Sequence, residues 1–249
     1  MRFEPVQPLT ADADLALQVY LLGQVEFDAA LALQRLLAFQ LADDKTSAVL
    51  LLCEHPPLIT VGRQGSRDHI KFDSGDLHAR RWRVRWVNRG GGCLLHLPGQ
   101  LAIYPILPLD RLELNIPAYL NKFNSVLETL LSDFNIKGVA RKEMAGLWVG
   151  TRMIASLGVA IRDWVAYFGS VLNINPDLEP FRHIHTGLPG DGPMTSIERE
   201  RRGPLRPSLV RERLIEHFAA QFGFGRTSLF FHHPFLERKP AADAVAVKS

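Results

Sequence analysis

Cysteine is scarce in this chain, and long hydrophobic runs are missing from it. Cys53 and Cys93 are the only cysteines among 249 residues, which excludes a disulfide framework and favours a reducing compartment. No apolar run reaches the length of a membrane span. Residues 1–14 lack the charged-then-apolar pattern of a signal peptide. These absences predict a cytoplasmic location and no membrane partner.

A large excess of charge of one sign is also missing. The net charge is +3, and most of the chain mixes both signs. Two basic clusters stand out: Arg80, Arg81, Arg83 and Arg85, and Arg199, Arg201 and Arg202. Clusters of this size are usually solvated faces, so we predict no nucleic-acid partner, although a basic rim suits an acidic protein.

The most distinctive stretch covers residues 88–106. Arg89 precedes three consecutive glycines, and a Pro98-Gly99 pair divides the apolar residues that follow. Glycines leave the backbone open to close approach by a ligand, and an arginine adds a permanent positive charge with forked donors. Residues 93–97 and 101–106 indicate two strands around a tight turn. We therefore predict a backbone-lined crevice at the edge of a hairpin; the competing interpretation is an ordinary glycine-rich turn.

Helical and strand patterns mix along the chain without strict alternation. Apolar residues recur at helical spacing in residues 25–43, 118–134 and 208–222. This mixture favours the α+β class. Short apolar runs that indicate strands lie at residues 48–53, 58–61, 147–150, 153–159 and 165–174.

One domain accounts for most of the length. No repeat, long linker or shift in composition divides the chain. We predict an irregular N-terminal segment at residues 1–24, a single domain at residues 25–235 and a disordered tail at residues 236–249.

Four separated motifs strengthen the interpretation of the glycine stretch as a binding site. The first runs from Arg89-Gly90-Gly91 through His96 and Pro98-Gly99-Gln100-Leu101 to Tyr104-Pro105-Ile106. The second is Glu54-His55-Pro56-Pro57, followed by Thr60 and Gly62-Arg63. The others are Ser156-Leu157-Gly158 and Gly169-Ser170-Val171 with Asn173. Together they closely resemble the lipoate-protein ligase B family, the octanoyltransferases of the biotin/lipoate ligase superfamily.

The resemblance implies both a fold and a function. It implies a mixed β-sheet with helices packed on one side, in the class II synthetase-like architecture of biotin/lipoate ligase catalytic domains. It implies transfer of an octanoyl group from acyl carrier protein to a lysine of a lipoyl carrier domain, with no cofactor and no metal. It implies substrate-binding roles for Arg89, Gly90, Gly91, Gly92, Cys93, Leu94, Leu95, His96, Ser156, Leu157, Gly158, Gly169, Ser170 and Val171, with His55 as a further candidate.

The chain departs from the family at the two residues that perform its chemistry. The family uses a cysteine thiolate and a lysine that activates it. The lysine position is Met153, and the cysteine position is Gly187, next to Thr186. The neighbouring Arg152 cannot replace the lysine as a base, because arginine stays protonated. The family's usual histidine before Gly169 is Phe168 here.

Three hypotheses remain open for this divergent member. It is a non-catalytic relative that binds an acyl chain, acyl carrier protein or lipoyl domain; it uses another nucleophile; or it catalyses direct transfer by proximity. The weak substitutes are Cys93, for which a buried inert thiol is the favoured interpretation, and Thr186 with His183 or His185. An acyl-adenylate ligase is disfavoured, because related ligases also use a lysine where Met153 stands.

Overall fold

The structure is a computed structural model of the chain, and it describes residues 15–44, 46–141, 144–187 and 192–237. Apolar runs form buried strands, and segments with helical periodicity form helices that cover them. None of the helices in these ranges combines the length and apolar character that crossing a bilayer requires. The elements are β1 (Ala16–Gln24), α1 (Phe27–Asp43), β2 (Ser47–Glu54), β3 (Leu58–Val61), α2 (Ser74–Ala79), β4 (Arg83–Trp86), β5 (Cys93–His96), β6 (Gln100–Pro108), α3 (Ile116–Asp133), β7 (Val139–Arg141), β8 (Met144–Val149), β9 (Arg152–Arg162), β10 (Val165–Asn173), α4 (Ile197–Arg201), α5 (Pro207–Phe222), β11 (Arg226–Phe230) and α6 (Pro234–Glu237).

Two sheets organise the described residues. The larger is mixed, with the strand order β11-β1-β2-β6-β10-β9-β8-β7. β1 lies parallel to both β2 and β11, and the other pairs in this sheet are antiparallel. The smaller sheet has the order β4-β3-β5. A mixed sheet with helices packed on it confirms the α+β class.

Helices cover both faces of the larger sheet. Along β2, Ala48, Leu50 and Leu52 belong to the apolar core that α3 and α5 complete, whereas Val49 and Leu51 belong to the core that α1 completes. The expectation of helices on one side is therefore wrong. Because β2 carries apolar side chains on both faces, both faces must be removed from water, and a single layer of helices can cover only one of them.

The N-terminal boundary also differs from the prediction. Residues 1–24 are predicted to be irregular, but Ala16–Gln24 is a strand between β11 and β2. The prediction is wrong there because this strand pairs in parallel with β11, near the other end of the chain, and a local pattern does not reveal such a partner. Within the predicted tail, Leu236 and Glu237 belong to α6. Residues 1–14 and 238–249 lie outside the described residues.

The glycine stretch leads into two strands that lie in different sheets. β5 pairs with β3 in the smaller sheet, whereas β6 pairs with β2 and β10 in the larger one. The predicted turn is present, with Gly99 at a φ of +87°, but the predicted hairpin is wrong. The turn is fixed from outside: Gly99 donates its N–H to Glu54 Oε2 at 3.0 Å, and its carbonyl accepts from Ile174 and Asn175. The chain reverses there without pairing the strands on either side.

Candidate functional site

A narrow slot lies where the smaller sheet, β9 and β10 approach one another. Its volume is about 30 Å³, which is room for about two water molecules and too little for an eight-carbon chain in this conformation. Most of its side chains are apolar. The slot is lined by Phe27, Arg89, Gly91, Gly92, Cys93, Leu94, His96, Tyr104, Met153, Ser156, Leu157, Gly158, Phe168, Gly169, Val171 and Thr186.

Most of the predicted binding residues line the slot, but four do not. The side chain of Leu95 packs in the core beneath the smaller sheet. Ser170 Oγ donates to the Ser156 carbonyl at 2.8 Å, which ties β10 to β9. Gly90 and His55 lie behind the lining of the slot: Gly90 is hydrogen-bonded to Val159 on β9, and His55 is hydrogen-bonded to Tyr104 on β6. The predicted set therefore divides into residues that border the slot and residues that hold its strands together.

The glycine loop, residues 88–92, packs against protein rather than presenting its N–H groups to a ligand. Gly90 donates its N–H to the Val159 carbonyl at 2.8 Å, and Gly91, at a φ of +81°, donates to Gln64 Oε1 at 3.0 Å. A Cβ on Gly92 would overlap the Thr186 carbonyl. The expected open cradle of backbone N–H groups is therefore wrong at Gly90 and Gly91, because neighbouring acceptors already occupy these donors. What the glycines provide is close approach of three backbone segments.

Two further glycines permit the same close approach from the larger sheet. Gly158 on β9 lies opposite Gly169 on β10. A Cβ on Gly158 would lie 2.5 Å from the Gly90 carbonyl and 3.2 Å from Arg89 Nη1, and a Cβ on Gly169 would overlap the Ile103 carbonyl. Both glycines therefore mark close backbone packing, and both also border the slot.

Arg89 is a buried cation without a carboxylate partner among the described residues. Only 6% of it is exposed. Nη2 donates to Thr60 Oγ1 at 2.8 Å, and Nη1 donates to the Gly90 carbonyl at 3.0 Å. Burial lowers the pKa of Arg89 to about 10, so the guanidinium still carries its charge at neutral pH. A charge that is buried without a counter-charge is costly, and beside a cavity it favours a ligand with an anionic or strongly polar oxygen.

Two neutral histidines extend this polar network. Thr60 Oγ1 accepts from Arg89 Nη2 and lies within hydrogen-bond distance of His96 Nε2, at 3.1 Å. His55 Nδ1 donates to the Val25 carbonyl at 2.7 Å, which leaves its Nε2 to accept from the Tyr104 hydroxyl at 2.9 Å. Burial lowers the pKa of His55 to about 4. Burial, then His55 and Arg89, hold the pKa of His96 well below its usual value. Both imidazoles are therefore uncharged and hydrogen-bonded in place.

The positions predicted for the family's lysine and cysteine lie at the slot or beside it. Met153 lines the slot, and Ser156 Oγ donates to Met153 Sδ at 3.4 Å. Thr186 lines it too, immediately before Gly187. Gly187 has a φ of +75°, and the ring of His69 occupies the space that its side chain would need.

Cys93 is the cysteine that borders the slot. Its Sγ donates to the Ser66 carbonyl at 3.3 Å, and the residue is buried. Cys53 is also buried and in no disulfide, with its Sγ 3.7 Å from His55 Nε2, and burial raises the pKa of its thiol above the usual range. Neither thiol is exposed as a reactive cysteine is, although Cys93 lies close enough to Arg89 to interact with its charge.

Comparison with known proteins identifies the relatives of this chain. The profile of the lipoyl protein ligase A/B catalytic domain matches residues 26–219. The chain belongs to this family. It is 34% identical to an octanoyltransferase of Caldicellulosiruptor bescii, over 87% of this chain and 98% of that protein. It is 34% identical to an octanoyltransferase of Geotalea uraniireducens, over 79% of this chain and 89% of that protein.

Solved structures show the same fold at much lower sequence identity. A putative lipoate protein ligase from T. acidophilum, with bound lipoic acid, superposes with a TM-score of 0.66 at 13% identity. The match covers 88% of this chain and 91% of that protein. The lipoate ligase architecture expected from the motifs is therefore confirmed for the fold.

Sequence patterns alone do not indicate the roles of Thr60, Tyr104 and Phe27 at the site. Thr60 and Tyr104 lie inside the quoted motifs, and only the structure shows that they connect Arg89, His96 and His55. Phe27 comes from the first turn of α1, which carries no motif. Together the site offers an apolar passage with a fixed cation at its wall. The chemistry of this passage matches an alkyl chain whose end carries a polar carbonyl, although the passage must widen to admit one.

Proposed function

We propose that this chain transfers an octanoyl group from acyl carrier protein to a lysine of a lipoyl domain. The observation that carries the proposal is the buried cation of Arg89 beside an otherwise apolar slot. Burial of an alkyl chain contributes roughly 0.8 kcal/mol per methylene, and a thioester carbonyl offers a further oxygen to Arg89, whose present acceptors belong to Thr60 and Gly90. The octanoyltransferase relatives support the same substrate class.

Binding of the acyl chain requires the slot to widen. Met153 and Phe168 are the side chains best placed to move: Met153 is unbranched and flexible, and Phe168 borders the slot from β10. Rotamer changes of this kind are common when a ligand binds.

The chemistry that we propose is direct aminolysis of the thioester. The acceptor lysine amine attacks the thioester carbonyl, a C–N bond forms, the C–S bond breaks, and the amine proton leaves on the carrier's sulfur. Arg89 stabilises the oxyanion that develops on the carbonyl oxygen. The protein supplies proximity and this charge, because Gly187 has no thiol and Cys93 donates its hydrogen to a carbonyl.

A transfer assay tests the activity. Purified protein is incubated with octanoyl carrier protein and an apo lipoyl domain, and the intact mass of the lipoyl domain is measured. We expect octanoylation that disappears when the acceptor lysine is replaced by arginine. Arg89→Gln should reduce the rate at least about tenfold, whereas Arg35→Gln, at an exposed position on α1, should not. No product above the control without protein, with binding of octanoyl carrier protein retained, overturns the proposal in favour of a binding module.

The intact mass of the transferase itself distinguishes direct from covalent transfer. Incubation with octanoyl carrier protein alone should leave the protein's mass unchanged. An octanoyl adduct that forms in the wild type and is lost in Cys93→Ser would show a thioester intermediate on Cys93 and reject direct aminolysis. The cytoplasmic location suggested by the cysteine count stays a prediction.

A further inference from the structure

A second cavity lies next to the slot. We call it the second groove, and its volume is about 430 Å³. It is lined by Leu178, Glu179, Phe181, Arg182, Ile184, His185, Gly192, Pro193, Met194 and Arg199. Its apolar side chains include Leu178, Phe181 and Met194. The second groove is therefore much roomier than the slot, and the proposed acyl-chain site does not account for it.

The two cavities share a thin wall. Met194, in the second groove, forms a parallel β-bridge with Met153, in the slot. On the other side, His185 lines the second groove and the following residue, Thr186, lines the slot. The two cavities are therefore adjacent, and a linear ligand in the second groove would have only this pair of methionines to cross before its end reached the slot.

The second groove carries positive charge from two arginines. Arg182 and Arg199 are exposed, and within the described ranges neither side chain makes a direct ion pair or hydrogen bond. Nearby carboxylates offset part of this charge: Arg152, and to a smaller extent Arg199, lowers the pKa of Glu200. Glu200 accepts both hydrogen bonds of Arg152 at 2.9 Å, and Glu179, in the second groove, lies 3.6 Å from His183 Nε2. Two arginines beside an apolar wall suit a phosphate on a partly apolar chain.

We propose that the second groove binds the phosphodiester-bearing pantetheine arm of the acyl carrier. Arg182 and Arg199 hold the phosphate, Leu178, Phe181 and Met194 contact the arm, and the thioester enters the slot beside Met153. This assignment rests on the proposed function, because it gives the donor substrate a path to Arg89. It also gives a role to the wide cationic cavity that lies beside the narrow slot.

The test compares ligands that differ only in the phosphate. Octanoyl-phosphopantetheine and octanoyl-pantetheine are prepared as stable amides, with NH in place of the thioester sulfur, and their binding is measured by calorimetry. We expect the phosphorylated arm to bind about tenfold more tightly. Arg182→Gln with Arg199→Gln should remove that difference and leave the affinity for octanoyl-pantetheine unchanged. Lys137→Gln, which removes an exposed cation outside the second groove, should leave the difference intact.

Two results overturn the inference: equal affinities of the wild type for both arms, or a phosphate effect that survives in the double variant. Matching thermal unfolding of the variants and the wild type shows that the fold is intact. Should the double variant unfold, Arg182→Gln and Arg199→Gln are measured singly, and each must lose part of the phosphate effect. Phosphate-dependent binding through the two arginines, without octanoyl transfer to a lipoyl domain, supports the second groove and rejects the proposed activity.

Discussion

The imidazole of His69 occupies the space that a side chain on Gly187 would need. Gly187 also has a φ of +75°, a conformation that residues with a Cβ adopt at a cost. His69 is itself fixed, because its Nδ1 accepts the Ser66 N–H at 3.1 Å. Both the backbone and a neighbour therefore disfavour a cysteine at this position, so introducing a thiol there should take more than one substitution.

Replacement of Gly187 by alanine should lower the free energy of unfolding more than the same change at Gly150. Gly150 has a φ of +58° with nothing within 4 Å of its Cβ position, so Gly150→Ala measures the backbone cost alone, about 1–2 kcal/mol. The additional loss in Gly187→Ala measures the collision with His69. Urea denaturation of both variants checks this.

His69→Gly should relieve the collision. In the background of His69→Gly, Gly187→Ala should cost no more than Gly150→Ala does. Additive effects of the two substitutions would contradict the contact, because neighbouring residues in contact are expected to couple.

Within the glycine loop, Gly92 and Gly90 should respond differently to alanine. A Cβ on Gly92 would overlap the Thr186 carbonyl, whereas a Cβ on Gly90 would lie 3.5 Å from the Val159 carbonyl, an ordinary contact. We expect Gly92→Ala to destabilise the protein by several kcal/mol, on the order of an overpacked core, and Gly90→Ala to have little effect. Equal melting temperatures for the two variants would show that the loop is not packed as described.

Stability should fall as the pH drops below neutral. The pKa of His55 is about 4 in the folded protein and about 6.5 when unfolded. Between these values the unfolded chain binds more protons, so the free energy of unfolding decreases with falling pH. His55 alone should remove about 1 kcal/mol between about pH 7.5 and pH 5.5. Denaturation midpoints across this range check the slope.

His55→Asn isolates the contribution of this residue. The amide can still donate to the Val25 carbonyl from the position of Nδ1, but it does not titrate. The slope between about pH 7.5 and pH 5.5 should therefore become shallower. His78→Asn, at an exposed position on α2, should leave the slope unchanged; an equal change in both variants would refute the assignment to His55.

Phe168 should limit the length of the acyl chain. Its ring borders the slot, and its φ of +58° is unusual for a residue with a bulky side chain. Phe168→Gly opens space and relieves this backbone strain, so transfer of dodecanoyl should rise relative to octanoyl. Phe168→Leu, which keeps a bulky side chain there, is the control. Chain-length preference is read from product masses in competition assays, and an unchanged preference in the glycine variant would exclude Phe168 as the limit.

Local pattern accounts for much of the fold and for most of the residues that line the slot. Helical spacing predicts α1, α3 and α5, and apolar runs predict β2 and β10. β1 and β11 escape prediction because Ala16 and Arg226 pair across almost the whole chain. At the site, a motif identifies Arg89 from the sequence. Its environment depends on Thr60 from another strand and Phe27 from α1, which meet only after folding.

The separation of β5 from β6 has a consequence for how the slot could open. Leu94 and His96 belong to the smaller sheet, whereas Tyr104 belongs to the larger one, and all three border the slot. Widening it can therefore slide one sheet over another without breaking a ladder of hydrogen bonds within either. An acyl chain bound between the two sheets would contact both and hold them together. Amide hydrogen exchange in β3 and β5 should therefore slow when the acyl chain is bound.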